Sequence, residues 1–112
     1  MTKKAILRIC AFLIATPVAA QTAETGLATI HDWRNEAGRV CMSAHSHDGS
    51  GNGQTRKAAE ASAVASWSSF TVFEYGRAWG NYALSGSKKM ACNQGGKAQF
   101  SCDVTARPCK RR

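Results

Sequence analysis

Side chains capable of metal or acid–base chemistry lie close together in the stretch "HSHD", His45 to Asp48, with His31 upstream. Two imidazoles and a carboxylate are an acceptable set for zinc or copper, and alternate residues of a glycine-rich loop can converge on one ion. The sequence places no fourth ligand, and working centres need supporting groups behind their ligands. The expectation is therefore a solvated polar loop, with no metal and no cofactor. A second chemistry is a cysteine nucleophile, Cys41 beside His45 or His31, which requires a free and activated thiol. No nucleophile-elbow serine, phosphate-binding glycine loop or calcium-loop spacing occurs in the chain. "GSGNG" follows no apolar strand, so no catalytic residue is assigned.

Whether Cys41 is free depends on the compartment, and the first residues bear on that. "MTKKAILRICAFLIATPVAAQTAE" sets Lys3, Lys4 and Arg8 at or before an apolar run from Ile9 to Ala15, followed by Pro17 and small residues up to Ala20. This is the pattern of a secretory signal peptide over residues 1–20, with cleavage expected between Ala20 and Gln21. The apolar run falls short of the roughly 20 residues that a bilayer span needs. A periplasmic or secreted protein without a membrane span is expected. Of the 5 cysteines, Cys10 leaves with the signal. Cys41, Cys92, Cys102 and Cys109 then read as two disulfides rather than as a metal site or a nucleophile.

Cleavage also changes the charge. Lys3, Lys4 and Arg8 are removed from the 15 basic residues and none from the 7 acidic ones, which lowers the net charge from +8 to +5. The remaining cations concentrate toward the C-terminus: Lys88, Lys89 and Lys97 on or near a hairpin, then Lys110, Arg111 and Arg112 after a cysteine that fixes their root. With Trp79, Tyr82 or Phe100 nearby they form a candidate anion-binding face. Export separates the protein from most nucleic acid, so an envelope polymer, lipid headgroup or protein is the expected anionic partner.

The elements that must hold these groups are few. Residues 21–54 read as an N-terminal segment with a loose hairpin ("RNEAG" as the turn, "RVCMS" as a strand) and then an exposed glycine-rich loop, Ser46 to Gln54. Residues 55–112 read as a helix plus a disulfide-linked hairpin region, in one domain with 21–54. Thr55 can cap a helix whose face carries Ala63, Trp67, Thr71 and Tyr75 at every fourth position, with Val64 and Phe70 beside them. Gly76 is placed to end it in a left-handed conformation. "RAWGNYALSG" reads as a twisted strand or aromatic-packed loop. "KKMACNQ" and "KAQFSCDV" flank Gly95-Gly96, a hairpin signal. A turn at those two residues sets Ala91 against Phe100 and separates Cys92 from Cys102, an inference that a longer loop would reverse; of the three pairings, Cys92–Cys109 with Cys41–Cys102 is preferred. The fold class is α+β: one amphipathic helix packed on a small antiparallel sheet, stapled by disulfides. With so few leucines and isoleucines, aromatic residues are expected to supply most of the core.

The order Ala63, Trp67, Tyr75-Gly76, Trp79 and Tyr82, Cys92, Phe100 and Cys102, Ala106, Pro108-Cys109 resembles a group of small exported α-proteobacterial proteins with a W…YG…C…C…PC pattern. Thr71 stands where an aliphatic residue is usual, and Phe100 where tryptophan is commoner. The likeness covers about residues 58–109. It implies an envelope or secreted location and a shared small fold, and it implies no activity. Two function classes lead: a non-enzymatic accessory protein that meets an anionic partner through its basic face, or an inhibitor or immunity-type module that plugs another exported protein; a small enzyme, with only the histidine loop in its favour, ranks last. Oligomeric state has no sequence signal.

Overall fold

The computed structural model describes residues 24–112; the expected signal peptide and residues 21–23 lie outside the described residues. In chain order the elements are α1 (Gly26–Thr29), β1 (Trp33–Glu36), β2 (Arg39–Met42), β3 (His47–Gly53), α2 (Arg56–Tyr75), two 3-10 turns (Arg77–Trp79 and Tyr82–Leu84), β4 (Gly86–Gly96), β5 (Gln99–Arg107) and β6 (Cys109–Arg111). Two antiparallel three-stranded sheets form, ordered β1-β2-β6 and β3-β5-β4. This is the α+β architecture expected, with one long helix and two disulfides.

The helix α2 is specified much as its pattern says. Thr55 accepts a hydrogen bond from the Ala58 amide, which satisfies one of the free N–H groups of the first turn. Ala59, Ala63, Trp67, Thr71 and Tyr75 are buried along one face. Gly76 ends the helix at φ 101 and ψ 167, a conformation open to glycine rather than the left-handed helical well, while its N–H still reaches the Val72 carbonyl at 2.9 Å. Phe70, expected on the buried face, is 44% exposed.

The largest correction concerns Ser46 to Gln54. It is no exposed loop: His47–Gly53 is β3, paired with β5 from His47↔Ala106 to Gly53↔Phe100. Alternation puts His47, Gly49, Gly51 and Gly53 toward α2 and Asp48, Ser50 and Asn52 away from it. A Cβ on Gly49 or Gly51 would run into the Ala63 backbone, and one on Gly53 would lie 2.7 Å from the Ala59 nitrogen. The glycines are there because the helix backbone rests directly on the strand. Residues 24–54 are thus part of the packed domain.

The core is divided in two. Ala59, Ala63 and Trp67 meet Cys102, Val104 and Ala106 of β5, and the Trp67 indole donates to the Ala106 carbonyl at 3.2 Å. Beyond the end of α2, Ala28, Met42, Tyr75 and Trp79 form the second cluster. Trp67, Tyr75 and Trp79 are fully buried as the aromatic inventory requires, but Phe73 is 82% exposed. The stretch after Gly76 is a pair of 3-10 turns rather than a strand.

Both hairpins differ in detail from the sequence reading. The first turns at Ala37–Gly38, both at positive φ, so Arg34 to Glu36 belong to β1 rather than to the turn. The second turns at Lys97–Ala98, not at Gly95-Gly96, because Gly96 pairs with Gln99 and a register shift lies between Gln94 and Gly96. That shift brings Cys92 directly opposite Cys102, and Ala91 opposite Asp103. The disulfides are therefore Cys92–Cys102 and Cys41–Cys109, not the favoured pairing. Cys41–Cys109 joins directly opposed residues of β2 and β6. Only buried Pro108 separates β5 from β6, so the chain steps from one sheet to the other there.

Candidate functional site

The start of β3 carries His47 into the interior, where it is 3% exposed. Its ring lies against Tyr75 (centroids 4.6 Å apart, stacked) and Phe70 (4.7 Å). Nδ1 is 3.0 Å from the Thr71 hydroxyl oxygen. That hydroxyl donates its own proton to the Trp67 carbonyl at 2.7 Å. The Thr71 oxygen must therefore accept from Nδ1–H, which fixes the tautomer and leaves the neutral ring with its lone pair at Nε2. Glu74 Oε2 stands 2.8 Å from Nε2. Among the described residues Nε2 has no other partner.

The other histidines gather at the same place. His31 and His45 stack at 4.6 Å between centroids, and His45 meets His47 edge-on at 5.2 Å. Ligand atoms of His45, His47 and Glu74 all lie within 4.8 Å of one another. A cleft of about 210 Å³, lined by Ile30, His31, Asp32, Ala44 and His45, opens beside them. Burial pushes the His47 imidazole below its usual range; Glu74 pulls the other way, and His45 and His31 add to the lowering. Burial and the Glu74 charge push the Tyr75 phenol up to about 12, so it stays neutral.

The structure thus brings His31, His45 and His47 together and removes Asp48, which points to the opposite face of β3 and accepts from Thr105 at 2.7 Å. Glu74, seven residues after Trp67 on α2, is not among the residues the sequence singles out. Its only signal is its place on the last turn of the helix, next to Tyr75. The nucleophile possibility closes, since Cys41 is in a disulfide. Glu60 with Cys92 and Cys102 also clusters, but both sulfurs are bonded to each other.

The candidate anion-binding residues are spread over both sheets. Lys88 and Lys89 lie on β4, where the Lys88 ammonium reaches the Ala83 carbonyl at 3.2 Å and sits 5.1 Å from the Tyr82 ring centre. Lys97 is at the hairpin tip, eight residues and about 25 Å further along the strand. Lys110 is engaged: it pairs with Glu24 and lies over the Trp33 ring at 4.3 Å and the Trp79 ring at 5.2 Å. Arg111 and Arg112 end the chain on the other sheet, exposed.

A different basic cluster surrounds Arg111. Glu36, Arg39 and Arg111 are directly opposed across β1, β2 and β6, so they share one face of that sheet. Both Glu36 oxygens are taken, one by Arg34 at 3.1 Å and one by Arg107 at 2.5 Å. Arg107 also donates to the Met42 carbonyl and the Ser87 hydroxyl, pinning the two sheets together. Among the described residues no carboxylate pairs with Arg39 or Arg111, and the buried Nε of Arg39 has no acceptor. Arg111 also borders a cleft of about 290 Å³ with Arg77, Asn81 and Leu84.

No helix among the described residues is long and apolar enough to cross a membrane. Comparison of the chain with protein-family models, with curated proteins and with solved structures finds no match.

Proposed function

We propose that the protein is a small non-enzymatic accessory module of the periplasm or the secreted fraction, and that it engages an anionic partner through the Arg39–Arg111 face. The observation that supports this most is the opposed Arg39–Arg111 pair. Like charges directly across a sheet repel, and this pair has no carboxylate of its own among the described residues. An incoming phosphate or carboxylate would relieve that repulsion and give the Arg39 Nε an acceptor, and guanidinium groups suit such planar, two-point contacts. The disulfides, the N-terminal pattern of residues 1–20 and the likeness to small exported proteins support the location.

The test is cosedimentation of the disulfide-bonded protein with vesicles containing anionic phospholipid, at low and high ionic strength. Binding at low salt that is lost at high salt, and lost in the doubly substituted Arg39→Gln, Arg111→Gln protein, is the expected result. Binding indifferent to salt and to both substitutions overturns the reading.

A second reading, an inhibitor or immunity-type module, is favoured by a separate observation. Ile30 is 72% exposed, and Phe70 and Phe73 on the last turns of α2 add further open apolar surface. A co-purifying exported protein whose binding survives high salt, and is lost in Phe73→Ser, would support this reading over the first.

A further inference from the structure

We infer that His45, His47 and Glu74 form a binding centre for a divalent first-row transition ion, zinc or copper, with its open side toward the cleft beside His31. A buried helix position such as 71 is ordinarily apolar, yet here it carries a threonine whose hydroxyl spends its proton on the Trp67 carbonyl and accepts Nδ1–H from His47. A hydrogen bond behind one ring nitrogen, orienting the other toward a ligand, is the arrangement found behind metal-bound histidines.

The other nitrogen then faces a carboxylate. Nε2 and a Glu74 oxygen stand 2.8 Å apart, and with Nδ1–H given to Thr71 both can turn a lone pair toward one shared cation. Imidazole nitrogen and carboxylate oxygen are also the donors that zinc and copper(II) accept together. Ligand atoms on one tetrahedral zinc lie about 3.3 Å apart. The three here fall within 4.8 Å, with His47 fixed and the other two partly exposed and able to rotate inward. His31, stacked on His45, limits the tilt of that ring and lines the cleft through which an ion or a fourth ligand would enter.

The centre is independent of the arginine face. It also revises the expectation of a solvated, metal-free loop, since that expectation rested on the missing fourth residue and on exposure of the "HSHD" stretch. Three protein ligands and an open position suit capture and release of an ion better than a closed structural site.

Titration of the metal-free, disulfide-bonded protein with zinc sulfate and copper sulfate, followed by calorimetry and by native mass, tests the assignment. One ion per chain is expected. His45→Ala and Glu74→Gln, both at partly exposed positions and each confirmed folded by near-UV circular dichroism, should weaken binding by about 100-fold or more. Thr71→Val should weaken it by about 10- to 100-fold while keeping the one-to-one ratio, as a positioning residue does. A change in the nitrogen hyperfine pattern of the copper(II) resonance spectrum from two imidazole nitrogens to one in His45→Ala would support a ligand role. No binding by the unsubstituted protein, or affinity in His45→Ala and Glu74→Gln unchanged from that of the unsubstituted protein, overturns it.

Discussion

The Thr71 hydroxyl and His47 Nδ1, 24 residues apart in sequence, meet at 3.0 Å in the interior, and the direction of the bond between them is set by a third group, the Trp67 carbonyl. One helix residue thus decides how a strand residue is protonated. Thr71→Val keeps the shape of the side chain and removes its oxygen, leaving Nδ1–H buried without an acceptor. A loss of about 1–3 kcal/mol in urea unfolding is expected, the cost of an unsatisfied buried donor. If the Thr71→Val substitution proves neutral, the hydrogen bond has no energetic weight and Thr71 does not set the His47 tautomer.

Gly51 and Gly95 give opposite outcomes for the same substitution. A Cβ at Gly51 would meet the Ala63 and Ser62 backbone, which cannot move without displacing α2, whereas at Gly95 the nearest atom is Gln99 Oε1 at 3.7 Å. Gly51→Ala should cost about 3 kcal/mol or more, by overpacking against an unyielding backbone. Gly95→Ala should stay within about 0.5 kcal/mol, as surface changes do. Thermal melts of the two variants check this, and similar melting temperatures would contradict the packing described for β3.

The same glycines explain what the sequence concealed. Glycine is read as a breaker because it frees the backbone, and nothing local distinguishes that role from its other one, admitting another backbone at contact distance. Gly49, Gly51 and Gly53 alternate with period two, which is a strand signal, but their own lack of apolar side chains hides it. Helix α2 is legible because its signal is carried by large side chains at Trp67 and Tyr75. Of the histidine cluster, His31, His45 and His47 are legible as residue types. Glu74 is not, since its nearness to His47 arises only when β3 lies along α2, and that depends on the glycines.

Removal of each disulfide should have a different cost. Cys41–Cys109 closes 68 residues and Cys92–Cys102 closes 10. The chain-entropy relation gives about 4 kcal/mol for the first and about 3 kcal/mol for the second. Replacing each pair by alanine and comparing urea midpoints should rank them in that order. The first also holds β6, and so Arg111, against β2. Its loss should therefore remove salt-dependent vesicle binding as well as stability, while loss of Cys92–Cys102 should leave that binding in place. The pairing favoured by the sequence fails on one register detail: the irregularity near Gly95 moves the turn to Lys97–Ala98, and a shift of that kind reverses which cysteines share a face.

Glu36 gives the fold a defined acid limb. Its carboxyl is held below the ordinary value of 4.5, chiefly by the Arg107 hydrogen bond, against partial desolvation and with help from Arg34 and the two guanidinium charges. Arg39, directly across the strand, and Arg111 beyond it add no opposing carboxylate. The unfolded chain therefore binds a proton at this residue at higher pH than the folded chain does. The contribution of Glu36 is complete above about pH 4.5 and is lost as pH falls through the lowered folded value. Glu36→Gln should remove that part of the acid dependence: its melting temperature at neutral pH should fall, because Arg107 loses its charged partner between the sheets, and its curve below pH 4.5 should be flatter than that of the unsubstituted protein. Parallel curves would mean that other carboxylates set the acid limb and that the Arg107–Glu36 contact does not join the two sheets energetically.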